Sequence, residues 1–145
     1  MGVTLATLIQ QHHITPSVMV LMQQQAVEAI ALAFQEEGRV GDFDEYAFEF
    51  DPQFKHIDFK PSTHEFINEA TAIARYGKVL LATIEASPHK PRRLVAIARQ
   101  CSGGQIESLN ELHLQLQRSM SNPIYITLIT LITLLLGLLW WLNQP

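Results

Sequence analysis

The stretch NPIYITLITLITLLLGLLWWLNQP, residues 122–145, decides how the rest of the chain is read. From Ile124 to Leu142 it holds nineteen residues without a charge, and its only polar side chains are three threonines, a tyrosine and two tryptophans. A helix of that length covers about 28 Å, close to the ~30 Å hydrocarbon core of a bilayer. Pro123 suits a first helical turn with Asn122 as its N-cap. Tyr125 at one end and Trp140–Trp141 at the other match the aromatic belts that mark membrane interfaces. A core helix of a globular domain would carry polarity on some face, and this segment carries none. The segment reads as a transmembrane helix.

Working outward, the start MGVTLATLIQQHH lacks the basic and long apolar regions of a signal peptide. Ala6 stands where a myristoylation pattern wants Ser or Thr. Carrying Asn143–Pro145 across a bilayer is easier than carrying the residues before the span, and Arg118 lies on the side the positive-inside rule keeps in the cytoplasm. The expected organisation is a cytoplasmic domain over 1–121 and a C-terminal transmembrane anchor over 122–145, in a single-pass protein of the cell (inner) membrane. Within the span, Thr127, Thr130, Thr133 and Gly137 fall on one face. Small residues there permit close helix packing, so this face is a candidate for association with a second copy or another membrane protein.

Charge supports the same picture. The chain has a formal net charge of −4, which argues against a nucleic-acid partner needing a basic surface. The total hides a split: residues 1–69 carry eleven acids against three bases, −8, and residues 70–145 carry three acids against seven bases, +4. The basic half is the one nearer the span, as an anionic leaflet favours. Its sharpest feature is HKPRR, residues 89–93, where Lys90, Arg92 and Arg93 open a helix and could meet anionic headgroups or an acidic partner.

The part before the span reads as a mainly helical α+β domain. Thr15, Pro16 and Gly38 bracket a helix whose inner face runs through Met19, Met22, Ala26, Ile30, Ala33 and Phe34, with Gln23 to Gln25 outside. YAFEF (46–50) and FKHIDF (54–59) alternate like strands and flank an Asp51-Pro52 turn, predicting one β-hairpin with Tyr46, Phe48 and Phe50 on one side. Ser62 and Glu65 have capping-box spacing, predicting one helix over 63–86 that runs through Gly77; a break at Gly77, with 78–86 as a strand, is the rival. Leu94, Ile97, Ala98 and Cys101 keep helical period. Ile106, Leu109, His113, Leu116 and Met120 form a short coiled-coil-like seam.

Chemistry-bearing residues are few. His56, Asp58, His64 and Glu65 form the best polar group, and two imidazoles with carboxylates would suit a divalent metal if the chain brought them together. Their spacing fits no metal motif, and a solvated strand face has the same composition. Adjacent His12 and His13 diverge on any helix. Cys101, the one cysteine, would need His89 or His113 beside it to act as a nucleophile. The expected function is therefore a membrane-anchored, non-enzymatic subunit, adaptor or regulator without a cofactor, partnered by the bilayer and by membrane or peripheral proteins. A membrane-tethered metal-dependent hydrolase and a membrane-active oligomer or toxin are the alternatives.

Overall fold

A computed structural model describes residues 2–120 and 123–144, with side chains placed for 2–119 and 128–144. It is an α+β structure, mainly helical, with two small sheets. The helix at Thr15 begins as its residues dictate: the Thr15 hydroxyl accepts from the Val18 amide at 3.3 Å, and Pro16 occupies the first turn. It runs through α2 (Pro16–Leu21), a π-helical turn over Met22–Ala26, and α3 (Val27–Glu37), ending where Gly38 takes φ 72° and donates to the Phe34 carbonyl. Met19, Met22, Ala26 and Ile30 are buried as expected, while Ala33 and Phe34 are only half-buried. The π turn corrects the rest of the pattern. An inserted residue rotates the inner face by about 100°, so Gln23 is drawn inside and Gln25 points at the hairpin.

The hairpin exists but is not alone. β3 (Phe48–Phe50) and β4 (Ile57–Phe59) pair antiparallel with Phe48 opposite Phe59, and β1 (Val3–Thr4) adds a third strand on the far side of β3. The stretch before the first helix therefore belongs to the sheet, which its lack of alternation concealed. α1 (Leu5–Gln10) follows at once, capped by the Thr4 hydroxyl and burying Leu5, Ala6 and Leu8. Phe48 and Phe50 are buried as expected. Tyr46 is not beside them: it lies in a 3-10 turn over Glu45–Ala47 and is 61% exposed. Edge-on and stacked contacts join Phe43, Phe48 and Phe59 at centroid distances of 5.2–5.8 Å.

The expected helix start at Ser62 is a second correction. The Ser62 hydroxyl does accept from the Glu65 amide at 3.1 Å, and also from His64. No helix follows, because Phe66–Ile67 leaves as strand β5 to pair with β2 (Val40–Gly41). Gly41 lies so close to the Ser62 carbonyl that no Cβ would fit there. The helix α4 (Glu69–Glu85) starts later, with Asn68 Oδ1 accepting from the Thr71 amide at 2.9 Å. It is unbroken through Gly77, so 78–86 is not a strand.

Gly77 is where α5 (Arg92–Ser102) crosses α4. A Cβ on Gly77 would stand 2.5 Å from Cys101 Cβ and 2.7 Å from the Ala98 carbonyl oxygen. The missing side chain sets the helix separation. α6 (Leu109–Met120) then packs on the π turn, α3 and α5. Its start is fixed from two sides: Ser108 Oγ accepts from the Glu111 amide, and Glu69 Oε1 accepts from the Leu109 amide at 2.8 Å. The α6 seam runs through Leu109, Leu112 and Leu116, all buried, with His113 only half-buried. That seam closes the domain's own core and is not a free coiled-coil surface. α7 (Pro123–Leu142) is the last helix among the described residues.

Candidate functional site

α7 is twenty residues long, about 30 Å of helix. From Leu128 onward its twelve large apolar side chains are between 46% and 68% exposed. Proteins dissolved in water rarely expose apolar patches beyond about 300–600 Å². Of the predicted packing face, Thr133 returns its hydroxyl to the Ile129 carbonyl of its own helix at 2.9 Å, and nothing lies within 4 Å of a Cβ built on Gly137. The side chain of Thr127, the Asn122 cap and Tyr125 fall outside the described residues. Among the described residues Leu128–Leu142 is a shorter apolar helix, and the helix over Pro16–Glu37 is the one long and apolar enough to cross a membrane by length and composition. Its Val18, Met22, Ala26 and Ile30 are fully buried, so it is the domain's core helix.

The basic loop lies beside the end of α6. Pro91 precedes α5 with no side-chain cap, and Arg92 and Arg93 occupy the first turn. Lys90, Arg92 and Arg93 are all exposed. Arg93 Nη1 donates to the Arg118 carbonyl at 3.3 Å, tying the loop to the last turn of α6. Sequence alone missed Arg118 as a member of this group, because 25 residues separate the two.

His56, Asp58, His64 and Glu65 are exposed, and among the described residues no three His, Cys, Asp or Glu side chains are placed to share a metal ion. Asp58 stands across from Glu49, and Lys60 bridges Glu49 at 2.8 Å, relieving that like-charge pair. Hydrogen bonding and charge from Glu49 raise the Lys60 pKa. Beside them, Asp51 receives the amides of His56, Lys55 and Gln53, which holds its carboxyl below the usual range. That clamp shapes the hairpin loop, where Phe54 adopts a φ of 54°.

His12 and His13 are exposed at the end of α1, His12 with a φ of 53° that breaks the helix. Cys101 is fully buried against Gly77, and burial pushes its thiol up to about 12. It is therefore protonated near neutral pH and shut away from substrate.

An open cleft of about 540 Å³ lies between the 3-10 turn, the Lys60–Glu65 connector and α4. Arg75 Nε donates to Asp42 Oδ1 at 2.9 Å inside it. That hydrogen bond lowers the Asp42 pKa and raises that of Arg75. Lys60, Arg75 and Lys78 face Asp42, Asp44, Glu45 and Glu65 across the cleft, so neither sign of ligand is favoured. Compared with known proteins, the chain matches no family model, no curated protein and no solved structure.

Proposed function

We propose that this protein is a membrane-anchored, non-enzymatic domain, held by α7, that serves as a subunit, adaptor or regulator of a membrane assembly. The observation that carries the reading is α7 itself, a charge-free helix of bilayer length whose leucines and isoleucines from Leu128 onward are exposed. Leu and Ile each favour insertion by about 0.3–0.6 kcal/mol, so the ten between Leu128 and Leu142 favour the bilayer by several kcal/mol. The non-enzymatic part is supported by the tasks of the polar groups. Asp42 and Asp51 hold structure, and Cys101 is buried.

Membrane fractionation tests the anchor. The full chain should stay with membranes through alkaline carbonate extraction, and a variant lacking residues 123–145 should not. Recovery of the intact chain in the soluble fraction ends the anchor reading. Crosslinking followed by purification in mild detergent tests the adaptor part. One membrane complex should accompany the protein in fixed stoichiometry, and repeated recovery of the protein alone counts against that role.

A further inference from the structure

We propose that Lys90, Arg92, Arg93 and Arg118 form one cationic edge that docks on anionic lipid headgroups and holds the domain down on the leaflet from which α7 emerges. The inference rests on reading α7 as the anchor. The Arg93–Arg118 hydrogen bond joins the first turn of α5 to the end of α6. Arg118 precedes Pro123 by five residues, a separation that even a fully extended chain limits to about 17 Å. An inserted α7 therefore keeps the Arg118 backbone within about two decay lengths of the headgroups, whose potential falls off over about 8–10 Å.

The charges on this edge are unneutralised. Among the described residues the two ion pairs are Lys60–Glu49 and Arg75–Asp42; none of the four edge cations has a carboxylate partner. The shallow groove of about 390 Å³ beside Arg93, lined by Val20, Gln24, Pro91 and Ser119 among others, has no acidic residue among those lining it. Val20 is 43% exposed there and offers an apolar contact to the interface. Arg92 and Arg93 also sit at the positive end of the α5 dipole, with no side-chain cap before them. Cations in that position oppose the helix. An anionic oxygen placed between them and the first-turn amides would reverse the opposition.

The test uses the full chain with His89→Cys carrying a fluorophore; Cys101, with no exposed surface, stays unlabelled. Vesicles are made from phosphatidylcholine alone or mixed with phosphatidylserine, each with a headgroup-bound quencher. Quenching of the probe should be greater in the anionic vesicles and should weaken with added salt. Each of Lys90→Gln, Arg92→Gln and Arg93→Gln should lower the docked-to-free ratio roughly five-fold. Quenching of Trp140 and Trp141 by lipids brominated in the acyl chain reports the anchor separately. Equal probe quenching in both lipids, with the tryptophans still quenched, overturns the docking edge while leaving the anchor in place. Tryptophans untouched by acyl-chain bromine overturn the anchor, and the docking edge with it.

Discussion

Tyr76 and Gly77 are neighbours on α4 that point to opposite requirements of the same core. The buried Tyr76 hydroxyl donates to the Met22 carbonyl at 2.7 Å, at the start of the π turn, and burial raises its pKa well above the usual value. Tyr76→Phe keeps the ring and leaves that carbonyl without its partner, so unfolding of the full chain in detergent should show a loss of about 1–3 kcal/mol. Gly77→Ala tests a sign. In an exposed helix the change stabilises by up to about 1 kcal/mol. Against Cys101 and the α5 backbone the added methyl forces the helices apart, and a net loss of about 1–3 kcal/mol is expected in the same measurement. The carboxylates give the pH dependence. Asp42 and Asp51 both have native pKa values below the ordinary 3.8, so the unfolded chain binds more protons than the native one in acid. Their contribution is complete above about pH 4 and fades as pH falls through each depressed native pKa. The thermal midpoint should fall over that acid range in the wild type and fall less in Asp42→Asn.

At the scale of elements, the boundaries of the helix from Thr15 to Gly38 were legible because caps are local. Thr15, Pro16 and Gly38 each act within four residues, and the structure places them as the spacing predicts. Ser62 shows the limit of that logic. Its hydroxyl captures the Glu65 amide, but whether a helix follows depends on Phe66–Ile67, and those residues pair with Val40–Gly41 more than twenty positions upstream. The π turn was invisible for a related reason. It brings three distant segments together, with Gln25 clamping Lys55 and Ile57, Tyr76 holding Met22, and Gln23 accepting from Ser119 at 3.5 Å. α7 makes its own prediction. Ile132→Arg near its midpoint carries an insertion cost of about 2.5–3.5 kcal/mol, and a smaller share of the chain should resist carbonate extraction.

For the molecule as a whole, residues 2–14 are part of the domain. Val3 pairs with Phe50, and Leu5 and Leu8 lie in the core. Deleting residues 2–14 should uncover the hairpin's aromatic face and abolish the cooperative thermal transition followed by near-ultraviolet circular dichroism; an unchanged transition would count against this placement. The candidate docking edge was half legible for the same reason of scale. Lys90, Arg92 and Arg93 stand together in the sequence, whereas Arg118 joins them only through the packing of α6 beside the start of α5. The grouping of His56 and Asp58 with His64 and Glu65 needed a helix to fold back at Ser62, and the second sheet takes that path instead. By itself the chain's order of residues determined the helix between Thr15 and Gly38, the helical spacing of α5 and α6, the central hairpin and the uncharged terminal segment, because those depend on neighbours within a few positions. Only the tertiary structure decided α1, the third strand, the second sheet, the start of α4, the rotated face at the π turn and the cations that meet at the end of α6. Those arise from pairings between distant residues, where each strand or side chain has several acceptable partners and packing selects one.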